Sequence, residues 1–219
     1  MSEGNRRVWI ALCVTALAAV ATVLLWLFAD RAGAAWGLAH RDLQPWVSIR
    51  HPLALLGSGV VQPIVLVLFT VVVYALRRRR LGRLGLVLIS TLLVATILTT
   101  GLKWLVRRPR PEFDGTARPA LSEQIHSTQW HSFPSGDVLV TTALITVIWM
   151  ATGCRAATAW LLVVPLLVGM QRFIAGRHHL SDISAGLILG AWVGALMARK
   201  TKAWVQRGRD GRLAADKTE

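Results

Sequence analysis

Residues 84–106 read LGLVLISTLLVATILTTGLKWLV, and Lys103 is the only charge in the run. A helix of about 20 apolar residues crosses the hydrocarbon of a bilayer. It also satisfies its own backbone polar groups, as lipid requires. The stretch therefore predicts a membrane-spanning helix. Toward the N-terminus it is preceded by the basic segment 77–83, RRRRLGR, and by a second apolar run at 53–76. Residues 29–52 mix Trp36, Pro45 and Trp46 with scattered charges. They read as an external loop with room for a short interfacial helix. Before them, 8–28 is apolar and follows Arg6 and Arg7. A signal peptide has the same order, but its apolar stretch is about 7–15 residues, so the longer run here predicts a retained helix. Toward the C-terminus come a polar stretch at 107–133 with Pro109, Pro111 and Pro119, further spans at 134–152, 156–174 and 181–198, and a basic tail at 199–219.

The expected fold is all-α: a six-helix transmembrane bundle formed by one domain over residues 1–219. Six spans put both termini on one side. Arg6, Arg7, the 77–83 segment, Arg155 and the tail would then share a side, and they hold 15 of the 25 Lys and Arg residues. The positive-inside bias makes that side cytoplasmic. Trp9, Trp26, Trp104, Trp149 and Trp204 fall near span ends, as an interfacial belt would. The chain is 54% hydrophobic and 16% charged, with mean hydropathy +0.50. A soluble domain would carry more charge and shorter apolar runs. The net charge of +14 lies largely in short loops and the tail. Topology control and anionic lipid headgroups account for it, and no nucleic-acid-binding motif accompanies it. Cys13 and Cys154 read as small apolar fillers, without zinc spacing.

The loops on the other face are basic as well, and three polar clusters explain why. The first runs from Lys103 to Arg110 and Pro111, at the end of the third span. The second is Ser132-Phe133-Pro134-Ser135-Gly136-Asp137, opening the fourth. The third runs from Arg172 through His178 to Asp182, joining the fifth and sixth. In the six-span topology all three meet at one face, at a depth where polar groups are costly unless paired or functional. Lys103 offers a point charge to phosphate, and Arg110 and Arg172 offer forked donors. Ser135 and Gly136 stand at a helix start, where free N–H groups and the helix dipole favour an anion. Gly136 permits close approach of the backbone. His178 and Asp182 are four residues apart. If the chain is helical there, the carboxylate bonds one imidazole nitrogen and frees the other for attack on phosphorus.

Taken singly, each residue has a plainer reading. The basic residues are interfacial anchors, His178 an interface histidine, Pro-Ser-Gly a helix start, and Asp182 a first-turn charge. Their order and convergence carry the case. Together they resemble the type 2 phosphatidic acid phosphatase superfamily, whose signature is Lys-x6-Arg-Pro, Pro-Ser-Gly-His and Ser-Arg-x5-His-x3-Asp. The first motif is complete at Lys103, Arg110 and Pro111; the third matches at Arg172, His178 and Asp182. The resemblance implies His178 as nucleophile, Asp182 as its orienting partner, and Lys103, Arg110, Ser135, Gly136 and Arg172 as phosphate ligands. It also implies no cofactor or metal, and in bacterial members a multi-pass protein of the plasma membrane with its site facing outward.

Two positions depart from the signature. Gln171 replaces a Ser that it can imitate as a hydrogen-bonding group. Asp137 replaces the His that protonates the leaving oxygen, and an aspartate has an ordinary pKa of about 3.9. His131 and His179 are alternative donors, although each reads more simply as a loop or interface residue. A diphosphate leaving group needs less protonation than an alkoxide. The expected function is hydrolysis of a lipid phosphate or isoprenoid diphosphate, such as undecaprenyl diphosphate, through a phosphohistidine. Two alternatives are a lipid phosphotransferase using the same intermediate and a non-catalytic lipid-phosphate-binding protein. The sequence sets no oligomeric state: Gly186 and Gly190 suit helix packing within a chain or between chains.

Overall fold

The computed structural model describes residues 3–44, 46–56, 61–76, 79–151, 153 and 160–215, and among these it is helical with no strand. Cys154, Arg155 and part of the 77–80 arginine run lie outside the described residues. The helices are α1 (Glu3–Leu24), α2 (Asp30–His40), α3 (Trp46–Leu56), α4 (Val61–Ala75), α5 (Arg79–Val106), α6 (Leu121–His126), α7 (Gly136–Ala151), α8 (Val163–Ile174) and α9 (Leu180–Ala215). Val8–His40, Leu81–Phe113 and Leu180–Arg199 are long and apolar enough to cross a membrane. Val61–Val72, Gly136–Ala151 and Trp160–Ile174 are shorter apolar helices.

The sequence places a loop at 29–52, and the structure differs. A π-helical turn at Leu25–Ala29 joins α1 to α2, and α3 follows. Nothing in 29–40 breaks a helix: the segment has no proline, and Ala29, Ala32, Ala34 and Ala35 favour helix. Scattered charges suggested a loop, but a helix leaving the membrane tolerates them.

Apolar side chains point outward as well as inward. Val14, Leu17 and Val20 of α1, Val65, Leu68 and Val71 of α4, and Leu93 and Ile97 of α5 are exposed. In water each would forfeit about 25 cal/mol for every Å² of apolar surface left unburied; in lipid that penalty vanishes. Inside, Leu88, Ala95, Leu139, Ala143, Val147 and Val193 form the core where α5, α7 and α9 meet.

Among the described residues, α7 and α9 pack against each other most extensively. Gly186, Gly190 and Gly194 form one stripe along α9. A Cβ added at these positions would lie 2.9 Å from the Ser135 carbonyl oxygen, 2.4 Å from that of Leu139 and 2.5 Å from that of Ala143. The obstacles are backbone atoms, which no rotamer change can move. Small residues at four-residue spacing let two helices approach backbone to backbone. Gly186 and Gly190 thus pack within the chain. The contact also locks the helix start at Ser135 against the first turn of α9.

Candidate active site

Each polar cluster is delivered by a helix end. α5 stops at Val106, and Arg107 takes a left-handed conformation, φ 47°. That geometry, usual for glycine after a helix, turns the chain inward at Arg108. The segment 108–110 then pairs with the approach to α7. Arg110 N–H donates to the Gln129 carbonyl at 2.9 Å, and Ser132 N–H to the Arg108 carbonyl at 3.0 Å. Ser135 N–H donates to the Asp182 carbonyl at 3.0 Å, tying the second cluster to the third. Because that N–H is occupied, the free donors of the α7 N-terminus begin at Gly136.

His178 is 3% exposed and Asp182 is wholly buried. The four-residue spacing predicts a direct imidazole–carboxylate bond. Instead, His178 Nδ1 lies 2.8 Å from the Ser132 carbonyl oxygen and 3.8 Å from Asp182 Oδ2. The reason is local: α9 begins at Leu180, so His178 precedes the helix and is not turned as an i,i+4 residue would be. A carbonyl can only accept, so Nδ1 carries the proton and Nε2 keeps its lone pair. Asp182 acts one step back. Its Oδ2 accepts from the Ser132 hydroxyl at 2.5 Å and from the His179 N–H at 2.8 Å. Its Oδ1 accepts from Arg108 Nη1 at 2.7 Å. Burial holds the His178 pKa below its ordinary value, Lys103 adds to the effect, and Asp182 and Asp137 oppose it. The ring is therefore neutral at neutral pH.

The cations stand beside it. Lys103 is within electrostatic reach of Asp137, Arg110, Asp182 and Arg172. Its Nζ lies 3.4 Å, and the Thr99 methyl 2.9 Å, from where a Cβ on Gly136 would sit. Only glycine lets the ammonium come this close to the helix start. Arg172 Nε lies 2.7 Å from Asp137 Oδ2, yet its N–H has no aligned acceptor, so the contact is one of charge. Ser135 Oγ and Arg110 Nε are buried without a hydrogen-bond partner. Polar atoms left bare in a closed site await a ligand or water. A cavity of about 580 Å³ opens at Arg172 and is otherwise lined by His51, Pro52, Ala54 and Leu55.

The eight residues singled out in the sequence therefore stand together. The alternative donors differ in setting. His179 is almost fully buried with neither ring nitrogen partnered. His131 has a buried, unpartnered Nε2; burial, with Lys103 and Arg110 adding to it, lowers its pKa. Gln171 is buried with its Oε1 unpartnered. Sequence reasoning missed Arg108, Asp30 and Trp26. Arg108 Nη2 pairs with Asp30 Oδ2 at 2.7 Å, and its guanidinium stacks 4.0 Å from the Trp26 ring centroid. Trp26 also meets the Phe133 ring at 5.3 Å, so this tryptophan packs against the site as well. The available signal was an aspartate, Asp30, directly after 20 or so apolar residues, where a charge is functional or paired.

These features define an all-helical membrane protein with a buried, neutral histidine flanked by cations. The chain belongs to the PAP2 superfamily, whose family model matches residues 84–206. It is 36% identical over 123 residues to the decaprenylphosphoryl-5-phosphoribose phosphatase of two strains of Mycobacterium tuberculosis, a match covering 56% of this chain and 63% of theirs. Among solved structures it is similar to a transmembrane PAP2-type phosphatidylglycerolphosphate phosphatase from Bacillus subtilis, with TM-score 0.64 and 19% identity over 88% of this chain and 96% of that one. It is also similar to LpxE from Aquifex aeolicus, with TM-score 0.55 and 25% identity over 73% and 90% of the two chains.

Proposed function

We propose that this chain is a phosphatase acting on a polyprenyl-linked phosphate at the outer face of a bacterial plasma membrane. The observation that carries this reading is the His178 Nδ1 contact with the Ser132 carbonyl, which leaves Nε2 as the nucleophile. Nε2 bonds to phosphorus as the lipid-side oxygen departs, and water then cleaves the phosphohistidine. Lys103, Arg110 and Arg172, the Ser135 hydroxyl and the N–H groups from Gly136 onward hold the equatorial oxygens, where charge gathers in the transition state. Asp182 steadies the ring through Ser132.

Asp137 is engaged by charge with Arg172 and so is not free to act as the proton donor at this position. Such a site suits a leaving group that departs without much protonation, as the phosphate of a polyprenyl diphosphate does. The name of the mycobacterial relatives points instead to a polyprenyl-linked sugar phosphate, a monoester. The cavity beside Arg172 has a mostly apolar wall and suits the organic group attached to phosphorus. The six-span topology, both termini cytoplasmic and residues 199–219 a cytoplasmic tail, puts the site outside.

The test is phosphate release by the purified chain from polyprenyl diphosphate, polyprenyl monophosphate and a polyprenyl-linked sugar phosphate. Acid-stable against acid-labile phosphoenzyme is scored in parallel. An acid-labile phosphoenzyme absent from His178→Ala is expected. Full turnover in His178→Ala would overturn the reading. Asp137→His should raise monoester turnover more than diphosphate turnover, because it restores a proton donor that only the alkoxide needs.

A further inference from the structure

Behind Asp182 lies a second carboxylate that the reaction above does not use. Asp30 is 2% exposed and comes from the first turn of α2, 151 residues before Ser181, its hydrogen-bond partner. Its Oδ1 accepts from the Ser181 N–H at 3.0 Å. Its Oδ2 accepts from Arg108 Nη2 at 2.7 Å and from the Ser181 hydroxyl. Arg108 Nη1 reaches the Ser181 hydroxyl oxygen at 2.6 Å and Asp182 Oδ1 at 2.7 Å. One guanidinium is thus forked between two buried carboxylates. The π-helical turn at Leu25–Ala29 brings Trp26 and Asp30 to the same guanidinium, one at its face and one at its edge. π-turns inside helices frequently occur at functional sites.

The arithmetic of charge makes this arrangement informative. Two carboxylates and one guanidinium leave the buried cluster with one net negative charge. Without Asp30, Arg108 would serve Asp182 alone and the pair would be neutral. When His178 Nε2 bonds to phosphorus while Nδ1 keeps its proton, the ring becomes cationic. A net negative charge behind it stabilises that state; a neutral pair does so much less.

We propose that Asp30 and Arg108 are positioning residues: Asp30 shares Arg108 with Asp182, so that Asp182 is held in place without its charge being cancelled. The proposal rests on His178 being the nucleophile. The charged groups acting directly on His178 are Asp182 from α9, Lys103 from α5 and Asp137 from α7. His179 acts with Arg108 on Asp182, and Arg172 from α8 pairs with Asp137. None of them changes in the variants below.

The experiment is the pH profile of kcat/KM and kcat for the full chain in detergent, with farnesyl diphosphate as probe. In Asp30→Asn the acidic limb should move down by about one pH unit and kcat should fall roughly tenfold, the equivalent of one unit in a pKa, with KM little changed. In Asp30→Asn/Arg108→Gln the cluster regains its net charge, and the limb should return toward that of the unaltered chain. A purely structural role predicts the opposite order, with the double variant worse than the single and the limb unmoved in both. That result would overturn the proposal. If Asp30→Asn is recovered only unfolded, Arg108→Lys carries the test. It keeps the charge but not the fork, so kcat should fall with the limb in place, and a displaced limb would overturn the proposal. Turnover that survives in His178→Ala sinks the parent reading, whereas an unmoved limb with His178→Ala inactive sinks this one alone.

Discussion

At the scale of single residues, the site is a chain of acceptors and donors in which His178 is held by backbone rather than by carboxylate. Ser132 contributes its carbonyl to the ring and its hydroxyl to Asp182. Ser132→Ala removes only the second contact. It should cost about 1 kcal/mol of transition-state stabilisation, the net worth of one hydrogen bond, and so a fewfold drop in kcat with KM unchanged. Asp182→Ala should be far worse and should also lower the folded yield. Arg108 keeps Asp30, but the Ser132 hydroxyl and the His179 N–H lose their buried acceptor, at about 1–3 kcal/mol each. The lowered pKa of His178 fixes the sign of the pH dependence. The competent ring is neutral, so activity should persist as pH falls through 6.5, the usual histidine value, and be lost only below it. Stability falls in the same direction but from a higher pH. The unfolded histidine takes up a proton from about pH 6.5 downward while the buried ring resists, so the fold loses stability as pH drops below that value. Kinetics and thermal unfolding across pH 4.5–8 check both. The convergence of His178, Asp182, Lys103 and the other proposed site residues was legible because their spacing is itself the signal. The Ser132 link was not, because i,i+4 geometry assumes a helix that here starts two residues late. Arg108 and Asp30 were not, because an arginine in the 107–110 run at a span end looks like an anchor and its partner lies far away in sequence.

At the scale of helices, the stripe of Gly186, Gly190 and Gly194 couples packing to chemistry. It seats α9 against the carbonyls of α7, and α7 begins at Gly136, whose backbone is the proposed phosphate ligand. Gly190→Leu should destabilise the chain by at least the 1–3 kcal/mol or so typical of overpacking. It should also depress kcat/KM by separating Ser135 and Gly136 from His178. Thermal unfolding in detergent together with kinetics checks this; a variant with unchanged melting would mean that the contact is looser than the structure draws it. The sequence marked Gly186 and Gly190 as helix-packing residues but left open the partner, because small-residue spacing says how close two helices come and nothing about which two. The apolar runs near 8–28, 84–106, 134–152 and 181–198 coincide with observed helices. The helices at Asp30–His40 and Trp46–Leu56 were obscured because charges and tryptophans at a membrane boundary resemble a loop.

Over the whole molecule, every polar cluster is carried on a helix end or a connecting segment, while the outward faces of α1, α4 and α5 are apolar. A chain of this kind has no need of a large soluble domain to hold a charged site. The bundle interior supplies the low dielectric, and charges paired across four helices offset the cost of desolvation. Under the proposed six-span topology the site opens at one membrane face, which makes orientation decisive. On the topology proposed above, the termini would lie in the cytoplasm and the 107–133 segment outside. In a Cys13→Ser/Cys154→Ser background, Ser122→Cys lies in α6, is exposed, and should react with a membrane-impermeant maleimide added to intact cells. Arg209→Cys in the tail should react only after the membrane is opened. The reverse pattern would place the site on the cytoplasmic face and so limit its substrates to lipids of the inner leaflet. Equal labelling of both positions in intact cells would contradict a spanning bundle with an odd number of crossings between α6 and the tail.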